Sequence, residues 1–319
     1  MRSAIAPFVH DCARDAHLQI TQLSDFVSPT IVAMWNLRWQ VRGYVDAHPN
    51  ATQDDIVKRF ALGKQLKANE IKRACCEYSW EEQEKMFSIF FLNGTISIFE
   101  DFVERLASLI AGEDEIRRIY KDLQYPSQSG KGYLRAYSRF GDPISYLKDV
   151  FNAPFVVNRW YSGGRVQELL YCYRFFKEIR NAFAHNGGRA TDLVVGAYNA
   201  FAPHATEAGL GVRVVPEHTV PVKGEEIEVR LRGIYGFNDV VLRLIATYDV
   251  DLSNRETAKN ELLRRLKRLE AHNRARLGVE KQEKKIQGML STAGFPRANL
   301  TPEFRAFLKA NEYVPDYWD

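Results

Sequence analysis

Residues 80–111 constrain the fold more than any other stretch. Phe87, Phe91, Ile98, Phe102, Leu106 and Leu109 recur at steps of three, four and seven, which puts them on one face of a long helix ending near Gly112. A stripe of that size has to be buried against other elements. Gly94 stands where the stripe expects an apolar residue. Either it lets a neighbouring helix come close, or it only weakens this one. The uncharged run inside the helix, Met86 to Phe99, is followed at once by Glu100 and Asp101. It falls short of the about 20 residues that a bilayer-spanning helix needs, so the reading is a core helix and no membrane partner.

Residues 166–185 form a second strong helix, VQELLYCYRFFKEIRNAFAH, with the stripe Val166, Leu169, Leu170, Tyr173, Phe176 and Phe183. The aromatic residues near 171–176 read as core. Arg180 sits where the stripe should continue. Asn186-Gly187-Gly188 is a strong helix stop. Upstream, residues 1–79 read as a helical segment, with phrases at Ile31–Tyr44, Asp54–Leu62 and Lys67–Tyr78 and a turn at His48-Pro49-Asn50. Residues 51–78 have the outline of a helix-turn-helix, which leaves DNA binding open beside a plain helical cap.

Between the two strong helices, Tyr125–Gly132 is a polar loop whose Gly-Lys lacks the remaining residues of a phosphate-binding P-loop. Gly141-Asp142-Pro143 reads as a turn with Asp142 capping a helix that starts at Pro143. Residues 211–234 change period. Gly211–Val215 and Ile227–Leu231 alternate apolar and polar residues around Lys223-Gly224-Glu225, which predicts a β-hairpin. Helix resumes at about Phe237–Tyr248. Residues 253–290 read as one long charged helix with Leu262, Leu263, Leu266 and Leu269 on its apolar side, and Phe304, Phe307 and Leu308 mark a short helix after Pro302.

The chain has 319 residues and a net charge of +4, but the charge is unevenly spread. From Arg255 to Lys285 eleven Lys and Arg face five Glu, a local +6, and the rest of the chain is close to neutral. Arg264, Arg265, Lys267 and Arg268 in this segment are candidates for contacting RNA phosphates. A solvated, salt-bridged helix is the other reading. Four cysteines without CxxC spacing argue against a zinc site or a disulfide framework. Together with the lack of a signal-like start, they predict a cytoplasmic protein. No residue cluster suggests a metal or another cofactor. The histidines other than His185 read as surface residues.

The chemistry concentrates in Glu178-Ile-Arg180-Asn181-Ala-Phe-Ala-His185-Asn-Gly-Gly. An arginine in an apolar stripe is costly unless it is paired or faces a cleft. Glu178, Asn181 and His185 share one helix face. Arg180 lies about 140° from His185 on an ideal helix, so one chain brings the two together only if the arginine wraps around or the helix loosens at Asn186. A second subunit is the other way to complete such a site.

Arg180-Asn181…His185 resembles the Rx4H signature of the HEPN superfamily. The helix Met86–Ile110 is similar to that family's first core helix, and Gly187-Gly188 to what often follows its histidine. The resemblance covers roughly residues 80–250. It implies a mainly α protein with a HEPN-like helical bundle at 80–252, a β-hairpin insertion at 211–234, an N-terminal helical segment at 1–79 and a basic C-terminal helical extension at 253–319. The hairpin departs from a plain HEPN bundle.

The resemblance further implies a metal-independent endoribonuclease of the toxin or antiviral-defence kind, acting as a homodimer with a composite site. An antitoxin or regulatory partner would accompany it. His185 would act as the general base on the ribose 2′-hydroxyl or the acid on the leaving 5′-oxygen. Arg180 would stabilise the phosphorane charge. Asn181 would orient His185 or the phosphate, and Glu178 would support Arg180 or His185 from behind. The alternative is a non-catalytic module that binds nucleotide, RNA or a protein partner.

Overall fold

The computed structural model describes residues 8–61, 70–152, 159–268, 279–295 and 297–314. Its helices, in chain order, are α1 Asp11–Ala47, α2 Gln53–Phe60, α3 Ile71–Cys76, α4 Trp80–Ile110, α5 Ile116–Asp122, α6 Tyr133–Tyr137, α7 Ser145–Leu147, α8 Val166–His185, α9 Asp192–Phe201, α10 Glu207–Leu210, α11 Leu231–Leu252, α12 Glu256–Lys267, α13 Val279–Thr292 and α14 Pro302–Ala310. The mainly α class is as the periodicities predict. Among the described residues there is no strand, only the isolated bridges Gln128–Lys131 and Arg189–Glu226.

The main core lies where α4, α8 and α11 meet, with α1 along α4. Phe91, Phe99 and Phe102 of α4 are fully buried, and each such ring contributes about 1.5–3 kcal/mol by leaving water. Phe99 packs on Tyr173 of α8, and Phe176 stacks on Phe237 of α11. α4 starts at a capping box in which Ser79 and Glu82 satisfy each other's backbone amides. By length and composition α4 is apolar enough to cross a membrane; in this fold its buried face is spent on α1, α8 and α11. Gly94 is a close-approach position, because a Cβ there would meet Leu23 Cδ2 of α1 at 2.7 Å.

α1 extends twenty residues ahead of the expected Ile31 start. Its buried residues there are mostly small, Cys12, Ala13 and Ala16 with Ile20 and Val27, so the stripe is faint, and Pro29 interrupts the pattern. α2 begins at a second capping box, Thr52 with Asp55. Ile56 of α2 and Cys75 of α3 form a small core with Val41. The first residues of the Lys67–Tyr78 phrase lie outside the described residues.

A second core joins residues 147–151 to α12, α13 and α14 through Leu147, Phe151, Leu262, Leu266, Leu290, Phe304 and Leu308. The expected helix at 253–290 is described as α12 and α13, and 269–278, with Leu269, lies outside the described residues. The residues just ahead of α1 are fixed to this region by His10, which is buried and not a surface residue. Its Nδ1 lies 2.9 Å from Asp249 Oδ1 and its Nε2 lies 3.2 Å from Thr257 Oγ1. Asp249 also accepts from the backbone amides of Val9 and His10, both at 2.8 Å.

Two local expectations are overturned. No β-hairpin forms at 211–234. Residues 212–230 are irregular chain, and α11 begins at Leu231. The alternation of Ile227–Leu231 serves a different pairing: Ala190 N donates to Glu225 O and Ile227 N to Gly188 O, both at 2.9 Å. The segment therefore lies against the chain leaving α8, and Ile227 and Val229 point into the core. Nor does Asp142 cap a helix at Pro143. α7 starts at Ser145 without a side-chain cap, and the Ile144 amide is taken by Asn254 O at 2.7 Å.

Candidate functional site

The site is built at the C-terminal half of α8. Val166, Leu169, Leu170, Tyr173 and Phe176 anchor the helix in the core. Gly187 and Gly188 end it with positive φ. Gly188 is required there twice over, since a Cβ would also meet the Phe183 ring at 2.5 Å. Its amide donates to Ala182 O at 3.1 Å, which turns the chain sharply just past His185.

Arg180 points inward, and its side chain is 23% exposed. Its Nη2 donates to both carboxylate oxygens of Glu100 on α4, at 2.9 and 3.0 Å. Arg180 Nε is buried and has no hydrogen-bond partner among the described residues. Lys177 also reaches Glu100 Oε1, at 2.6 Å, and Gln124 Oε1, at 2.5 Å. Burial pulls the Lys177 ammonium below its ordinary pKa, and Glu100 opposes that shift. Tyr173 closes the cluster by donating to Gln124 at 3.2 Å; burial pushes its phenol well up.

Glu178 is buried but serves neither Arg180 nor His185, contrary to expectation. It pairs with Arg174 one turn back and accepts from Asn181 Nδ2 at 3.2 Å. Asn181 is thus held half-buried beside the ion pairs. His185 is exposed at the helix end and makes no hydrogen bond or ion pair among the described residues. No hydrogen bond links Arg180 to His185, as their angular separation on the helix leads one to expect. Around the helix end lie Phe183, with Lys85 5.4 Å from its ring centre, and the pair Lys85–Glu226.

Glu100 is the site residue that the sequence reading missed. It lies 80 positions from Arg180. The only local signal is an acidic residue closing the apolar run of α4.

The RNA-contact candidates divide. Arg265 is 6% exposed and pairs with Asp11 and Glu261 while donating to Val9 O. Its guanidinium is thus taken up as a structural tie and is not displayed to a phosphate as the sequence leads one to expect. Arg264 is paired with Asp11 and Glu261. Lys267 and Arg268 are exposed at the end of α12. Among the described residues no group of three or more His, Cys, Asp or Glu side chains is placed to hold a metal ion.

Compared with protein-family models, curated proteins and solved structures, the chain matches none. The family resemblance therefore rests on the motif and its setting.

Proposed function

We propose that the protein is a metal-independent endoribonuclease of the HEPN kind, a defence or toxin effector working in the cytoplasm. One observation carries the reading. Arg180, Asn181 and His185 occupy the last turns of a core helix, which ends at Gly187-Gly188 with His185 open to solvent. In the proposed reaction the ribose 2′-oxygen attacks the adjacent phosphorus and the bond to the 5′-oxygen breaks. His185 takes the 2′-hydroxyl proton or supplies one to the leaving oxygen. Products carry a 2′,3′-cyclic phosphate and a 5′-hydroxyl. Arg180 offsets the phosphorane charge.

Because Arg180 and His185 diverge within one chain, the working site is assigned to a homodimer. Met86 and Phe90 on α4 and Leu193 on α9 are exposed apolar side chains available to a second copy. RNA is the substrate, with Lys267 and Arg268 available to its phosphates.

The test is cleavage of RNA in EDTA by wild type and His185→Ala, with sequencing of 5′-hydroxyl ends. Cutting by wild type alone supports the reading, and equal cutting by both sinks it. A second reading, a non-catalytic module that binds RNA, nucleotide or a protein partner, is favoured by one observation: Glu100 already occupies Arg180. It predicts binding without turnover.

A further inference from the structure

A groove of about 480 Å³ opens along the face of α11 turned away from its buried residues Phe237, Val241 and Leu244. Its walls are Arg159 and Trp160 ahead of α8, Arg213 and Val214 from the chain before α11, and Arg232, Tyr235, Asp239 and Arg243 on α11. The last four are spaced three, four and four apart, so they line one helix face. Four guanidiniums thus meet one carboxylate.

Asp239 is spent on Arg243, whose Nε lies 3.0 Å from its Oδ2. Arg243 is further held by Ser162 Oγ, at 3.2 Å. The guanidiniums of Arg159, Arg213 and Arg232 make no ion pair among the described residues, and Arg159 lies over the Trp160 ring at 4.1 Å. Elsewhere in this chain arginines are routinely paired, as in Arg135–Asp122, Arg105–Asp15 and Arg180–Glu100. Like charges gathered in one concavity raise its potential and draw anions.

The packing holds this gathering in place. A Cβ at Gly233 would meet Glu217 O at 2.2 Å, and one at Gly236 would meet Pro216 Cα at 2.8 Å. Two glycines on α11 therefore let the 212–217 chain lie directly on the helix. Buried Val212 and Pro216 pin it, and Arg213 is thereby held in the same groove as Arg232.

We infer that this groove is a binding site for an anion with two or more adjacent phosphates, gripped by Arg159, Arg213 and Arg232. Guanidinium suits it because its planar donors match phosphate oxygens and it stays charged. The volume falls in the range of small-ligand sites, roughly 300–1,000 Å³. Free polyphosphates and an RNA backbone share this chemistry. The site lies outside the cleavage motif and does not depend on cleavage.

Calorimetric titration of the full chain with inorganic triphosphate, with ATP and with a short 2′-O-methyl oligoribonucleotide tests it. The last offers phosphates but no 2′-hydroxyl, so the result is independent of cleavage. Saturable binding is expected, weakened about tenfold by Arg213→Glu or Arg232→Glu and unaffected by Arg117→Glu, an exposed control on α5. Arg213→Gln and Arg232→Gln should lose less than the reversals. Binding of triphosphate or ATP assigns a free polyphosphate, and binding of the oligonucleotide alone assigns a strand. No saturable binding of any of the three, or equal loss in Arg117→Glu, overturns the site.

Discussion

Arg180 Nη2 sits between the two carboxylate oxygens of Glu100, so the motif helix is fastened to α4 by a pair that spans 80 positions of sequence. Both side chains are only 23% exposed, and removing one partner leaves the other partly desolvated and uncompensated. Glu100→Gln is expected to lower stability by about 1–3 kcal/mol, read from urea denaturation. Adding Arg180→Ala to it should cost less than the sum of the single changes. Strict additivity would show that the contact carries no energy. Lys177 also holds Glu100, so the cycle is best repeated with Lys177→Met.

Arg265 and Arg268 stand three positions apart in a basic run and should behave oppositely. Arg265→Ala removes a buried cation from Asp11, Glu261 and Val9 O. It is expected to cost about 3 kcal/mol or more. Lys267→Glu and Arg268→Glu, both exposed, should change stability by less than about 0.5 kcal/mol while lowering RNA affinity at low salt. Thermal denaturation and filter binding of the three variants separate the roles. A stable Arg265→Ala protein would contradict the structural assignment.

Packing partners far apart in sequence separate what the sequence reveals from what it does not. Periodicity located α4 and α8, because their stripes of Phe, Tyr and Leu are dense. It missed the first half of α1, where alanines and a cysteine do the packing. Alternation at 227–231 reflects the burial of Ile227 and Val229, while the backbone at 224–227 pairs with 188–190 and not with 211–215. Local pattern reports which side of a segment is buried, not against what. For the same reason Arg180 is legible as a residue needing a partner, but the sequence points to Glu178, close by, and gives no ground for choosing Glu100, 80 positions away. His10 reads as a surface residue because its partner, Asp249, lies 239 positions away.

Gly188 ties the fold to the motif. Its φ is +76° and a side chain would strike Phe183. Gly188→Ala is expected to destabilise by about 1–3 kcal/mol. Gly187 also has positive φ but open space around it, so Gly187→Asn should cost less, because asparagine tolerates that backbone region. Paired thermal melts check the order. Equal melting temperatures for the two would remove the Phe183 contact as a cause.

Asp251 supplies a pH dependence of known sign. Burial raises its carboxyl from 3.8 to about 6, against the hydrogen bonds it accepts from Tyr133 at 2.8 Å and Tyr161 at 3.4 Å. The folded protein thus holds this proton more tightly than the unfolded chain does. The corresponding stability is fully present below about pH 4 and is lost as pH rises through about 6, a change on the order of 2–3 kcal/mol. Carboxylates held low by partners, such as Asp11 beside Arg265 and Arg14, act in the opposite direction, so the whole-protein profile hides the effect. Asp251→Asn isolates it, since an amide oxygen still accepts from Tyr133 but cannot ionise. Urea denaturation of both proteins from pH 4 to pH 7 should show the variant gaining on wild type as pH rises. A difference that stays constant across that range would mean Asp251 keeps an ordinary pKa, and its burial would then have no cost to remove.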